Sequence, residues 1–122
     1  MSSPLYERLG GKPAVEAAVD SFYDKIMKDA LIRPFFDGVD MPRQRAKQKI
    51  FLTMAFGGPT KYTGKDLRQA HAHLVERGLN DPHFDAVAGH LKSTLVELKV
   101  ANDLIDEVMT IVASTRNDVL NR

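Results

Sequence analysis

Apolar residues recur at intervals of three and four positions along most of the chain, a spacing that predicts amphipathic α-helices. The clearest stripe follows Gly11–Lys12–Pro13 and contains Val15, Ala18, Val19, Phe22, Tyr23, Ile26 and Met27. No segment alternates apolar and polar residues with β-branched enrichment, so no strand is predicted. The pattern predicts an all-α protein with about four substantial helices and two or three short pieces.

Prolines and glycines divide this pattern into segments. Ser3–Pro4 is predicted to open a very short helix that stops at Gly10–Gly11. Residues 31–36 predict a turn or a single helical turn, because a proline interrupts them. Residues 37–40 predict a turn, and residues 59–64 predict a loop between two helices.

The second half of the chain is predicted to hold three helices. Gly78 is expected to close a short helix around His71. Asp81 and Pro82 predict the N-cap and the first-turn proline of a long helix. Asn102 is expected to cap the last helix, whose inward residues are Leu104, Ile105, Val108, Met109, Val112 and Val119.

The helix that opens at Pro42 carries an unusual stripe. Gln44, Gln48, Phe51 and Ala55 are three or four positions apart and therefore share one face. A buried amide without a partner costs about 1–3 kcal/mol. Either this stripe is half exposed, or its amides point at something polar inside an apolar pocket.

His71 lies on another apolar stripe, with Leu67, Ala70 and Leu74, whereas His73 is predicted to point elsewhere. The ordinary interpretation is a core histidine whose ring is satisfied by a backbone carbonyl. The alternative is a metal ligand, since histidine is the commonest side chain in that role. No second ligand shares its face, so one imidazole suffices only where a macrocycle such as haem supplies the in-plane ligands.

Polar side chains on two other helices offer partners for such a pocket. Tyr23, Gln44 and Gln48 together supply hydrogen-bond donors, although each alone is well explained as an ordinary half-buried residue. Lys47 is adjacent to them and has three alternatives. Its ammonium stays in water, it pairs with a haem propionate, or its neutral amine coordinates iron.

Composition narrows the class of protein. A chain of 122 residues is long enough for a single core, so residues 1–122 are predicted to form one domain. A net charge of +1 favours no nucleic-acid partner, and the absence of cysteine excludes disulfides and thiolate metal sites. The chain has no apolar run of about 18 residues and no signal-peptide pattern, which predicts a cytoplasmic protein without a membrane partner.

Several stretches taken together resemble the group I truncated haemoglobins, and the resemblance covers essentially the whole chain. The matching stretches are Leu5–Gly11, Phe22–Tyr23, Phe35–Phe36, Asp40–Met41, Gln44 with Gln48, Phe51–Thr53, Ala55–Pro59, Ala70–His71 and His83–Val87. One Gly-Gly or Ala-His pair would be weak, but the combination is specific.

The resemblance implies a truncated globin domain, in which a two-over-two helical sandwich surrounds one non-covalent haem b. It implies that His71 is the proximal iron ligand and that its other ring nitrogen donates to a carbonyl, plausibly that of Leu67. The remaining implied roles are distal hydrogen bonding by Tyr23, Gln44 and Gln48, haem packing by Phe36, Phe51 and Phe84, and propionate contacts by Arg43 and Lys47.

The implied function is reversible binding of dioxygen, carbon monoxide and nitric oxide. An alternative is nitric oxide dioxygenase-type detoxification, which requires an external reductase because the chain has no flavin or nicotinamide motif. A cofactor-free helical domain is the alternative that composition alone favours.

Two departures from relatives concern the haem. Lys47 stands where some relatives carry a histidine that is the sixth iron ligand, so coordination by Lys47 stays open. Some cyanobacterial relatives attach haem covalently through a histidine in the last helix. Residues 114–117 contain no histidine, so non-covalent haem is expected.

Overall fold

The computed structural model describes residues 5–36, 41–58 and 64–122. The described residues contain no strand, so the all-α prediction is confirmed. The helices in chain order are α1 (Leu5–Arg8), α2 (Gly11–Lys28), the 3-10 helix Arg33–Phe36, α3 (Met41–Ala55), α4 (Gly64–Glu76), α5 (Asp81–Glu97), α6 (Asn102–Ser114) and α7 (Arg116–Val119).

Four of these helices form two stacked pairs. α2 packs against α3, and α5 packs against α6. Contacts between α2 and α5, and between α3 and α6, join the two pairs. This arrangement is the predicted two-over-two sandwich, and its core lies between the pairs.

Each pair contributes large apolar side chains to the core. Phe22 and Ile26 of α2 are fully buried, as are Leu52 of α3, Leu91 of α5 and Val108 of α6. A side chain of this size contributes about 1.5–3 kcal/mol when it is removed from water. The stripe predicted on α2 is confirmed, and its buried members are Val15, Ala18, Val19, Phe22, Tyr23 and Ile26.

The turn after α3 depends on two glycines. Gly57 has φ of 73°, in the left-handed region that glycine adopts without strain, and its N–H donates to the carbonyl of Met54 at 2.9 Å. A Cβ on Gly58 would overlap the ring of Tyr6. These residues therefore end α3 where the sequence predicted and let α1 pack closely against the turn.

The starts of two helices differ from the prediction by one residue. The N-cap of α5 is Asn80 rather than Asp81. The N–H of His83 donates to the backbone carbonyl of Asn80 at 3.0 Å, and the His83 ring accepts the N–H of Asn80 at 3.0 Å. Asn102 is the first residue of α6 and Ala101 is its N-cap, so the cap predicted at Asn102 is wrong.

The last predicted helix is divided in two. α6 ends at Ser114, Thr115 separates the helices, and Val119 belongs to α7. The Thr115 hydroxyl donates to the carbonyl of Val112 at 2.6 Å, which satisfies one of the acceptors at the end of α6. α4 is also longer than the short helix that was predicted, and reaches 13 residues.

Three local predictions lie outside the described residues. They are the helix start at Ser3–Pro4, the turn at 37–40 and all but the last residue of the loop predicted at 59–64, since Gly64 is the first residue of α4. Within the parts of the chain that are described, no helix is both long enough and apolar enough to cross a membrane.

Candidate functional site

A cavity lies between α3 and α4 and extends to buried faces of α2, α5 and α6. The space in it that a water-sized molecule can occupy is about 220 Å³. Protein interiors contain few voids larger than a water molecule, so a cavity of this size is a ligand site rather than a packing defect. Most of its wall is apolar and includes Phe22, Ile26, Phe36, Phe51, Phe84 and Leu91.

The imidazole of His71 lines this cavity from α4. Its Nδ1 lies 2.8 Å from the carbonyl oxygen of Leu67, one helical turn earlier, as the sequence predicted. A carbonyl oxygen only accepts, so Nδ1 carries the proton and the lone pair is on Nε2. The ring is therefore held in the tautomer that leaves Nε2 able to coordinate a metal.

The surroundings of His71 also keep its ring neutral. Burial lowers the pKa of His71, and this effect outweighs the hydrogen bond to Leu67, which acts in the opposite direction. The charges of His73 and Lys47 lower the pKa further. The ring is therefore uncharged at neutral pH, which is the form that binds metals.

Another part of the cavity wall comes from α3. Gln44, Gln48 and Phe51 line the cavity, and Ala55, at the end of the same stripe, is fully buried. Both interpretations of this stripe hold in part, because the two glutamines are half-buried and they also line the apolar cavity. Each amide offers two N–H donors and one oxygen acceptor.

Lys47 lines the cavity as well, although the residue as a whole is exposed. A lysine in this position covers the wall with its alkyl stem and keeps its ammonium in water. Lys47 therefore brings a positive charge to the edge of the cavity.

Two predicted site residues lie further away. Tyr23 is buried on α2, with 7% of its surface exposed, and the guanidinium of Arg45 lies 5.0 Å from the centre of its ring. In the described part of the chain, neither Tyr23 nor the exposed Arg43 is among the residues that line the cavity. Their roles in the site stay predictions.

Two histidines line the cavity without having been predicted there, His73 and His83. The prediction that His73 points elsewhere is wrong, because this exposed residue reaches the cavity edge. His83 accepts the N–H of Asn80 at 3.0 Å and meets Phe35 edge-on at 4.9 Å between ring centres. The sequence analysis missed this bond because it depends on Asn80 as the cap, with His83 three residues later, whereas the cap was predicted at Asp81.

The ligand set determines which metal group fits. No group of three or more histidines or carboxylates that could hold a metal ion is present within residues 5–36, 41–58 and 64–122. One neutral imidazole on an apolar wall therefore needs a macrocycle that brings its own in-plane ligands. A wide apolar cavity, an imidazole whose Nε2 can coordinate a metal and amide donors from α3 fit haem.

Comparisons with known proteins agree with this geometry. Residues 4–121 match the family of bacterial-like globins. A group 1 truncated haemoglobin from Synechocystis sp. is 53% identical over 123 residues, which cover 98% of this chain and 99% of the relative.

Solved structures resemble the whole fold. The 2/2 haemoglobin from Synechococcus sp. PCC 7002, in the cyanomet state and with covalently attached haem, has a TM-score of 0.90 at 52% identity. That match covers 98% of this chain and 100% of the other. The truncated haemoglobin of Tetrahymena pyriformis in its Fe(III) form has a TM-score of 0.85 at 41% identity, covering 97% and 98% of the two chains.

Proposed function

Because the chain belongs to the bacterial-like globin family, as one of its group 1 truncated haemoglobins, we propose that His71 holds the iron of one haem b per chain. Membership of this family makes the chain a haem globin that binds diatomic ligands such as dioxygen. The observation that carries the assignment of His71 is its hydrogen bond to Leu67, which leaves Nε2 as the coordinating atom.

The haem iron supplies the bond to the diatomic ligand, and the protein supplies position and polarity. His71 holds the iron from α4, and its hydrogen bond to Leu67 sets the orientation of the ring. Phe36, Phe51 and Phe84 line the cavity and exclude water from the faces of a flat apolar cofactor. These separate roles of the iron and the protein are supported by the lining of the cavity, which includes His71 from α4 and apolar side chains from the other helices.

The distal side is assigned to the amides of α3. Gln44 and Gln48 line the cavity from α3 and donate hydrogen bonds to a ligand that carries partial negative charge. Tyr23 completes this set through its hydroxyl. Each such bond contributes about 1 kcal/mol, and 1.4 kcal/mol is about a tenfold change in an equilibrium constant.

Two basic residues, Lys47 and Arg43, are assigned to pair with the haem propionates. The position of Lys47 at the cavity edge supports this role directly, whereas Arg43 is assigned from its exposed position on the same helix. We expect no covalent bond between the haem and the last helices, since residues 114–117 contain no histidine that could form one.

The test is an absorption series on the purified protein after haem addition, in the ferric, ferrous and carbon monoxide forms. A Soret band that saturates at one haem per chain is expected. Protein that develops no such band would contradict the proposal. Denaturing extraction should then release the haem entirely, as non-covalent binding requires.

The same series decides how Lys47 is used. With its ammonium at a propionate, Lys47→Ala keeps the ferrous spectrum and speeds haem loss. If Lys47 coordinates iron instead, the ferrous protein shows a six-coordinate spectrum that disappears in Lys47→Ala. Lys65→Ala, at an exposed position on α4, is the control for removal of a surface charge.

A second candidate function is conversion of nitric oxide to nitrate. The reaction combines nitric oxide, dioxygen and one electron, so it requires an external reductase. Lys47 favours it, because an ammonium beside the cavity stabilises the anion that forms. Stopped-flow mixing of the oxygenated protein with nitric oxide, followed by a turnover assay with a reductant, separates the two functions. If each oxygenated protein forms one nitrate and then stops, the protein is not a nitric oxide dioxygenase, and reversible ligand binding is its function.

A further inference from the structure

The helix that carries His71 has little apolar anchorage. Of the described side chains of α4, only Leu67 is buried. Among the described elements, α4 packs most extensively against α7. The position of α4, and of the imidazole on it, therefore depends on contacts with the C-terminal residues.

Leu67 of α4 shares the buried apolar cluster with Val119 and Leu120, and the polar contacts beside it converge on one residue, Arg68. Its Nε donates to the carboxylate of Asp118 at 2.8 Å, and its terminal nitrogen donates to the carbonyl of Arg122 at 2.7 Å. The amide of Asn121 donates to the carbonyl of Arg68 at 3.1 Å. We call Arg68, Asp118, Asn121 and Arg122 the C-terminal clamp. It holds both the side chain and the backbone of Arg68.

The clamp acts next to the atom that orients His71. Leu67 supplies the carbonyl that accepts from His71 Nδ1, and its carbonyl carbon is bonded to the nitrogen of Arg68. A shift of the backbone at Arg68 therefore moves the Leu67 carbonyl, and with it the imidazole.

The C-terminal residues are themselves tied to α5. Arg122 donates to the carboxylate of Asp81 at 2.6 and 3.1 Å. Arg116 donates to Asp81 at 2.8 Å and to Asp85 at 2.6 Å, and its guanidinium lies 4.6 Å from the ring centre of Phe84. The clamp therefore connects α4 to α5 through Arg122 and Asp81, beside the contact of Arg116 with Phe84, which lines the cavity.

We propose that Arg68 is a positioning residue for His71, and that the C-terminal clamp sets the tilt and the height of the imidazole beneath the cavity. The proposal rests on the assignment of His71 as the iron ligand. One exposed ion pair is worth little, so the action depends on several bonds that meet at a single residue.

The alternative is that these bonds are surface ion pairs that only add stability. In that case their loss lowers the free energy of unfolding and leaves the bond between His71 and the iron unchanged. A spectroscopic property of that bond distinguishes the two explanations.

The test compares Arg68→Met, which keeps most of the stem, and Asp118→Asn, which keeps the shape of the side chain. In the ferrous haem-loaded protein, the iron–histidine stretching band in resonance Raman spectra should shift or broaden in both variants. Haem transfer to an acceptor globin should also become about two- to fivefold faster. In hydrogen-exchange mass spectrometry, the amides of α4 should exchange faster.

Arg8→Met is the matched control. Arg8 is an arginine of similar exposure, with 36% of its side chain exposed against 42% for Arg68, and it pairs with Glu107 at 3.3 Å on the other side of the fold. The control should leave the band where it is in the unaltered protein. The double variant Arg68→Met/Asp118→Asn should shift the band no further than Arg68→Met alone, since both changes remove the same contact.

An unmoved band in Asp118→Asn and Arg68→Met, with lower stability, would overturn the proposal and establish the purely stabilising explanation. Asp118→Asn alone suffices for this decision if Arg68→Met does not fold. If Lys47 coordinates the ferrous iron, the band is measured in the Lys47→Ala background, where the iron is five-coordinate. Absence of the iron–histidine band there as well is a different failure, because it would reject His71 as the ligand.

Discussion

The two walls of the cavity are anchored in different ways. α3 enters the core with Leu52 and Ala55, both fully buried, whereas Leu67 is the one buried residue among the described side chains of α4. The α3 wall therefore combines apolar packing with two exposed ion pairs to α2, Arg45–Asp20 and Lys49–Glu16. The α4 wall has fewer buried side chains and depends more on its polar bonds to the C-terminal residues. Exposed ion pairs weaken when a charge is removed or salt is added, whereas apolar packing depends much less on either.

The difference has a functional consequence. A packed α3 holds its amides at a constant distance from the cavity, while α4 is held by bonds that can be adjusted one at a time. We expect changes on α3 to affect stability and ligand retention, and changes near α4 to affect the metal ligand.

The largest effect is expected from His71→Gly. Without the imidazole, the iron loses its ligand from the protein, so the Soret band of the purified protein should be lost or displaced. Addition of free imidazole should restore much of it, which separates loss of the ligand from loss of the fold. Ala72→Gly, the exposed neighbour on the same helix, controls for the cost of glycine in a helix. A His71→Gly protein with an unchanged spectrum would reject the assignment.

A smaller effect, on stability, is expected from Leu52→Ala. Removal of a fully buried leucine side chain costs about 2–5 kcal/mol in the free energy of unfolding. Urea unfolding of the haem-loaded protein measures it, and Ile50→Ala, at a residue of α3 that is 46% exposed, is the control. A cost no larger than that of Asp118→Asn would remove the contrast between a packed and a clamped wall.

The next largest effect, on dioxygen dissociation, is expected from replacing the glutamines of α3. Gln44→Leu and Gln48→Leu each remove a donor worth about 1 kcal/mol, so dioxygen should dissociate about fivefold faster from each. Carbon monoxide, which takes up less negative charge, is the internal control and should be affected less. Tyr23→Phe tests the third donor in the same way. An unchanged dioxygen rate in any variant would exclude that residue from the distal set.

The smallest effect is expected at acid pH. Hydrogen bonds from Arg122 and Arg116 hold the pKa of Asp81 below its ordinary value, and Lys49 does the same for Glu16 on the distal side. A carboxylate with a lowered pKa adds stability above its unfolded pKa, about 4, and loses it as the pH falls through the lower folded value.

Unfolding free energies between about pH 5 and 2 should therefore fall less steeply in Asp81→Asn than in the unaltered protein. Glu16→Gln should show a smaller change, because Glu16 has a lysine partner and Asp81 has two arginines. Both differences should shrink in high salt. Equal slopes for all three proteins would show that the pairs do not contribute.

Much of the candidate site could be predicted from the spacing of residues within single helices. The spacing of Gln44, Gln48 and Phe51 predicted one face, and the structure has all three on the cavity wall. The stripe through Leu67 and His71 predicted the apolar surroundings of the ring, and the resemblance to the truncated haemoglobins implied Leu67 as its backbone partner. Helical period is a property of a single segment, so it can be read before the segments are assembled.

Other features depended on contacts between segments. The N-cap of α5 is Asn80 rather than the predicted Asp81. Asparagine and aspartate are equally good caps, so only the path of the chain selects one of them. The C-terminal clamp joins Arg68 to residues about 50 positions away, and no local rule predicts such a pairing.

The order of apolar and polar residues was enough to determine that this chain is all-α, which faces its helices bury, and that one imidazole and two amides belong to apolar faces. Only the tertiary structure decided that those faces enclose a single cavity, that His73 and His83 reach it, and that α4 is held by α7. Periodicity records which side of a helix avoids water, whereas the distance between two helices depends on every other contact that each of them makes.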